Sequence, residues 1–239
     1  MARSTPSGGT LATLLTILDS YSLRDFANSM KPWALSPTSG SKPTESPSLV
    51  QRIFGVCNVP DLGTLTTSFS GSVNRAIVHR TWGLMGGSSS LYGPKFHFNE
   101  YMKVRNFFFG AAVHFLLAIA MVALALPPVR WLVKKLVFAP GQGPTREVTS
   151  KERIEYRTIA IADQDTPTPR RAFSRMRYEG GMYYLTGVFL AEAAITILRD
   201  DKIAKRLGGG VLTPAMLGQP FIDRLWRVGV LFETRLLAQ

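Results

Sequence analysis

The stretch FFFGAAVHFLLAIAMVALAL, Phe107 to Leu126, governs how the rest of the chain is read. It runs for 20 residues without a charge and with a single ionisable ring, His114. At about 1.5 Å rise per residue such a helix reaches about 30 Å, the thickness of a bilayer's hydrocarbon core. Lys103 and Arg105 precede it and Arg130, Lys134 and Lys135 follow it, so positive charge selects no orientation. Pro127 and Pro128 are expected to end the helix. Beyond them VRWLVKKLVFA mixes Trp131 and aliphatic residues with cations, as an interfacial amphipathic helix does. The plainer alternative is a central helix buried on all sides, and Gly110 with several alanines permits close packing in either case. The expectation is a helix that anchors in or spans a membrane. His114 is most simply a helix histidine bonded to a neighbour, and a proton relay is the functional alternative.

Composition sets further bounds. The 239 residues suffice for one large domain or two small ones. Charged residues make up 18%, below the roughly 25% of soluble domains, which agrees with lipid contact. A lone cysteine, Cys57, excludes an intramolecular disulfide and fits a reducing, intracellular compartment. His79, His97, His114 and Cys57 are too scattered for a zinc site, so no metal is expected. The net charge is +12, but it is spread: residues 1–129 hold 10 basic and 5 acidic side chains, residues 130–239 hold 18 and 11. Nucleic-acid binders gather such charge in a stripe. Anionic headgroups account for it at least as well, and no nucleic-acid partner is expected. The N-terminus, MARSTPSGGT, lacks the apolar core of a secretory signal.

Along the chain, Leu11, Leu14, Leu15 and Leu18 fall at helical spacing, with Thr10 as N-cap and Pro32 as a bound. Residues 36–48, SPTSGSKPTESPS, form a disordered loop with no means of packing. TLTTSF predicts a short strand and NRAIVHRTWGLM a helix, while GGSSS at residues 86–90 is a flexible connection. In VPDLGT, Asp61 reads as a turn residue. RIEYRTIAIADQ and AFSRMRYEG predict strands, the second placing Arg175 and Arg177 on one face and Ser174, Met176 and Tyr178 on the other. Leu185, Val188, Phe189, Ile195 and Leu198 mark the next helix, to about Arg199.

The triplet Gly208–Gly210 invites a phosphate-loop reading, which needs a strand before it and a helix directly after. DDKIAKRL before it is a polar, helix-compatible tail, so the glycines read as a turn. Thr213 and Pro214 then open a helix whose apolar face is Leu217, Phe221 and Leu225, and VLFET closes the chain as a strand.

YEGGMYYLTGVFLAEAAITILRD and LGGGVLTPAMLGQPFIDRLWRVGVLFE resemble the C-terminal end of saccharopine dehydrogenase-like oxidoreductases, which include the trans-acting enoyl reductases. SGGTLATLL, VPDLGTLTTS, AIVHRTWGL and APGQGPT resemble the fungal branch in the same order, so the similarity covers nearly the whole chain. It implies a two-part enzyme: a Rossmann domain that binds NAD(P), and an α+β domain, a mixed sheet covered by helices, that covers the substrate and mediates homodimer contacts. Animal members associate with lipid droplets and membranes. The chain is expected to start after the Rossmann part and to bind no cofactor itself. The division expected is residues 1–103 as the first part of the α+β domain, 104–138 as the apolar helix and basic segment, and 139–239 as the rest of that domain.

No catalytic residue carries over from the resemblance. Arg177, Tyr178, Tyr183 and Tyr184 lie near a strand-to-helix junction where a polar substrate group could be held, against the simpler reading of a solvated arginine face and ring packing. Asp200 and Asp201 read as solvated loop charge. The leading functional reading is the substrate and dimerisation half of a membrane-associated NAD(P)-dependent oxidoreductase acting on a lipid-linked enoyl or imine group, inactive alone. A non-enzymatic membrane-anchored scaffold is the alternative. A third reading is a small single-span membrane protein with a soluble tail. Lipid droplet, endoplasmic reticulum and mitochondrial membrane are not distinguished.

Overall fold

The computed structural model describes residues 8–41, 43, 46–87, 92–136, 145–200 and 208–238. The chain divides into two compact units, Pro6–Gly143 and Pro144–Gln239. Each carries its own three-stranded sheet.

In the first unit, the leucine stripe builds α1 (Gly8–Ser20), which buries Leu15 and Leu18. The helix begins before Thr10, so that residue is not its cap. Nor does it continue to Pro32. Ser22 accepts the Asp25 N–H at 3.1 Å and donates its hydroxyl to the Asp25 carboxylate at 2.6 Å, which starts a separate α2 (Leu23–Ser29).

Ser48 caps α3 (Leu49–Phe54), and Gly55 closes it at φ 66°. β1 (Val56–Val59) and β2 (Gly63–Thr67) follow as an antiparallel hairpin. Asp61 takes the turn at φ 69°, a conformation for which aspartate has several-fold enrichment. After α4 (Gly71–Leu84), β3 (Tyr101–Lys103) adds to β2, giving the order β1-β2-β3. Neither β1 nor β3 has the periodicity that would announce a strand; their pairing with β2 creates them.

Residues 36–41 are better packed than their composition suggests. A Cβ on Gly83 would run into Ser36 and Pro37, and one on Gly40 into the Trp33 ring. Arg80 Nη1 donates to the Leu35 carbonyl at 2.6 Å. This segment therefore lies on α4, and its prolines and small residues serve close approach. The rest of the loop lies partly outside the described residues.

His79 anchors that contact. It is 1% exposed and stacks on Trp33 with centroids 3.9 Å apart. Its Nδ1 lies 2.9 Å from the Pro32 carbonyl, which can only accept, and its Nε2 receives the Phe98 N–H at 3.1 Å. The ring is therefore neutral with its proton on Nδ1. Glu100 ties down the start of α4: its carboxylate accepts from Ser68 and Ser70 at 2.8 Å and from Asn74 at 2.7 Å.

Asn106 accepts the Phe109 N–H at 2.9 Å and starts α5 (Phe107–Ala125), the predicted apolar helix. At Gly110, α5 approaches β2 closely enough for Thr66 Oγ1 to donate to the Gly110 carbonyl at 2.8 Å. One turn on, His114 Nδ1 lies 2.8 Å from Thr67 Oγ1, the neighbour expected for it. The prolines that end α5 also open α6 (Pro127–Leu136), where a missing N–H costs nothing. Arg130 closes the corner, donating to the Leu124 and Ala125 carbonyls at 3.0 and 2.8 Å and pairing with Asp19 of α1 at 2.6 Å.

The second unit runs from the short α7 (Arg146–Thr149) to β4 (Arg153–Ile161), β5 (Arg171–Glu179) and α8 (Met182–Arg199). The glycine triplet turns with φ of 62°, 86° and 112°, as expected of a chain reversal. Thr213 and Pro214 open a single 3₁₀ turn, Pro214–Leu217, before α9 (Gly218–Arg227) and β6 (Leu231–Leu236). Ile154, Tyr178, Leu185, Leu217, Phe221, Leu225 and Val230 form the core.

The architecture is α+β as read, but among the described residues it has two sheets instead of one, and every strand pair is antiparallel. The short β1–β2 and β4–β5 connections return the chain antiparallel, and β3 and β6 pair antiparallel after longer connections that contain helices.

Two predictions follow from the first unit. A side chain at position 110 would meet Val56, Val104 and Thr66 at 3.0–3.5 Å, so Gly110→Leu should lower stability to chemical denaturation by about 2 kcal/mol. Burial holds the His79 ring below its ordinary value of 6.5, so below that pH the unfolded chain takes up a proton that the native ring resists. Stability should accordingly decline with falling pH from about 6.5 downward. A pH series of denaturation midpoints should show this slope in the wild type and a flatter one in His79→Phe.

Candidate functional site

The four sequence-derived candidates lie on β5 and the first turn of α8. β5 is the central strand of its sheet, paired on both sides, so consecutive side chains point to opposite faces. Met176 and Tyr178 turn inward against α8 and α9. Arg175 and Arg177 turn outward.

On the outward face Arg175 meets a carboxylate of β6, and Arg153 of β4 lies 3.6 Å from Glu179 of β5. Arg175 Nη2 reaches the two Glu233 oxygens at 2.8 and 2.9 Å. Glu155 holds Arg157 at 2.5 Å and Arg153 at 3.1 Å. Arg177 Nε lies 3.7 Å from Glu179, is buried, and makes no hydrogen bond. The Arg157 hydrogen bond holds Glu155 below its usual range, and the Arg175 hydrogen bond does the same for Glu233. Both shifts move the carboxylate away from neutral pH, so neither becomes a proton shuttle there. This face is a cross-strand charge network in contact with water.

Inward, the arrangement differs. Tyr178, 6% exposed, stacks near Tyr184 with centroids 6.4 Å apart and planes 17° from parallel. Burial, then the neighbouring Tyr184, pushes the Tyr178 hydroxyl above its ordinary value, so it is a neutral hydrogen-bonding group. Tyr184 also lines a half-open depression of about 220 Å³ at the start of α8, with Thr149, Ser150, Glu179, Gly180 and Gly181. Tyr183 is partly exposed on α8 and does not line it. Of the four candidates, the structure brings Tyr178 and Tyr184 together and puts Arg177 on the opposite face.

Gly180 and Gly181 supply the strand–glycine–helix order that the triplet at Gly208 lacks. Gly180 has φ 146° and donates its N–H to the Glu152 carbonyl at 2.8 Å. A Cβ on Gly181 would meet Thr149 at 2.7 Å and Glu152 Oε2 at 2.8 Å. The start of α8, where a helix favours an anion, thus already faces the Glu152 carboxylate, with Glu179 on the rim. A phosphate here would meet two like charges. The depression suits a small neutral polar group better. The glycine pair directly before the α8 pattern is the sequence signal for this turn. Among the described residues, no three His, Cys, Asp or Glu side chains converge as a metal site requires.

Comparison with known proteins places this geometry in context. Over 97% of its length the chain is 33% identical to a protein of Mycobacterium tuberculosis strain H37Rv named "Putative trans-acting enoyl reductase", and equally to its counterpart in strain CDC 1551. The chain spans 57% of the length of each of these relatives. No family model matches the chain, and no solved structure matches it. The likeness runs through both compact units and includes α5, α8 and the turn at Gly180.

The two tyrosines should be energetically coupled. A double-mutant cycle of Tyr178→Leu and Tyr184→Leu, read by thermal or chemical denaturation, should give an interaction of about 0.5–1.5 kcal/mol. Tyr178→Leu should account for most of the total loss, because its ring is the buried one.

Proposed function

We propose that this chain is the substrate-covering and dimerisation part of a membrane-associated, NAD(P)-dependent oxidoreductase of the trans-acting enoyl reductase kind, within the saccharopine dehydrogenase-like group and of fungal type. One observation carries the reading: an identity of 33% over 97% of the chain to relatives of which it spans 57%. The uncovered part of those relatives is where the proposal puts the dinucleotide site. In the whole enzyme a bound NAD(P)H would supply a hydride, and solvent a proton, to the double bond of a lipid-linked enoyl or imine group, leaving NAD(P)+. Tyr184 and the depression at the start of α8 hold a polar end of that substrate, with Tyr178 stacked behind Tyr184. By itself the chain is inactive, and it resides inside the cell on a membrane.

Titrating the purified chain with NADPH and following nicotinamide fluorescence tests the central point. The expected outcome is no saturable change; saturation at micromolar NADPH overturns the assignment of the coenzyme site to another part of the protein. The small volume of the depression, about 220 Å³ against the roughly 300–1,000 Å³ of ligand pockets, favours a second reading, a membrane-anchored scaffold without redox chemistry. The two diverge on whether the genomic sequence upstream of Met1 encodes an in-frame G-x-G-x-x-G segment, which the enzyme needs and the scaffold does not.

A further inference from the structure

We infer that the outward stripe of α5, together with α6, is an insertion face that enters one leaflet of an anionic membrane without crossing it. The inference rests on the membrane part of the function proposed above and assigns it to named residues.

A helix on the surface of a water-soluble unit carries polar residues on its outer side. α5 carries none there. Phe108 is 81% exposed, Leu116 66%, Ile119 65% and Val122 68%, with Phe115 and Leu126 continuing the stripe. α8 is also long and apolar enough to cross a membrane and exposes Leu190, Ile197 and Leu198, but Thr186 and the hydroxyl-bearing Tyr183 and Tyr184 interrupt its outer side, while Glu192 pairs with Arg224 of α9 at 3.9 Å. α5 differs from it in the continuity of the apolar outer side.

The inner side of α5 excludes a span. Gly110 and His114 are tied to Thr66 and Thr67 of β2, so the sheet moves with the helix. β1 and β3 are the edges of that sheet, each with one row of backbone groups outside the ladder. Hydrocarbon accepts helices and closed barrels because no backbone group in them lacks a partner. An upright α5 would carry two open edges into the bilayer, whereas a recumbent α5 buries its outer stripe and leaves the sheet in water.

The charges agree with the recumbent arrangement. Exposed Lys103 and Arg105 lie before α5, and exposed Lys134 and Lys135 lie on α6 after it. Asp19, the acid against α6, is engaged by Arg130 and Lys134. Lys135 lies 3.8 Å over the Trp131 ring, a pairing suited to headgroup depth. Cations at both ends choose no orientation across a membrane, and in a helix that lies along one surface they have none to choose. Anionic headgroups complement all of them.

Flotation of the full chain with phosphatidylcholine vesicles, with and without phosphatidylserine, tests the inference. The chain should float with the phosphatidylserine vesicles. Lys135→Glu should weaken binding at least about fivefold, and Leu116→Glu combined with Ile119→Glu should leave the protein unbound. Both stripe positions are exposed, so the fold should persist, as circular dichroism would verify. In a Cys57→Ala background, Lys103→Cys and Lys135→Cys should both react with an impermeant maleimide added outside sealed vesicles. Reaction at one of the two positions means a span; it overturns the inference and leaves the membrane reading standing. Undiminished flotation of the double glutamate variant moves the contact elsewhere, with the same consequence. A wild type that does not float overturns both, and if it is then a dimer broken by the glutamates, the stripe is a contact between copies.

Discussion

The approach of α5 to β2 at Gly110 organises the first unit. A helix backbone can come this near a strand only where no side chain intervenes, and the contact lets Thr66 satisfy its hydroxyl on the Gly110 carbonyl. With that point set, Val56 and Val104 close around the glycine, and His114 arrives within reach of Thr67 one turn later. The helix start is set by Asn106 and its end by Arg130, whose guanidinium serves two orphan carbonyls and one carboxylate of α1. α5 is therefore held at both ends and at one face, and its exposed stripe is a consequence of that mounting.

The second unit follows a different logic. Its sheet separates two chemistries by strand alternation: Met176 and Tyr178 enter the core, while Arg175 and Arg177 join carboxylates on the open face. The exposed ion pairs contribute little stability individually. Their effect is to keep a face of many arginines matched to its neighbours across the strands. The depression at the start of α8 lies where that sheet gives way to the helix, and its polarity comes from Glu152, Glu179 and the hydroxyls of Thr149 and Ser150.

Much of the fold was legible in the chain because apolar periodicity and turn residues act locally. The apolar run of α5, the alternation of β5, the span of α8 and the turn at Gly208 appear where the pattern puts them, although Leu198 of the expected α8 stripe is exposed. Three things were not legible. β1 and β3 are too short to show a period and exist through pairing with β2. Residues 36–41 have a loop composition, yet they pack because Gly83 leaves room for Ser36 and Pro37. Of the site, the tyrosines at the strand-to-helix junction were visible as residue types. Strand alternation already separated Arg177 from Tyr178; that Tyr178 meets Tyr184 depends on how α8 packs against the sheet.

By itself the sequence determined that a helix about a bilayer thick occupies residues 107–125, bounded by cations and closed by two prolines, because hydrophobicity, length and proline geometry are properties of neighbours in the chain. It likewise determined the α+β class. Only the tertiary structure decided which side of this helix is covered by protein and which is open. The reason is geometric: which face of a helix is covered depends on contacts between residues some forty positions apart, such as Thr66 with Gly110 and Thr67 with His114, and no local pattern encodes them.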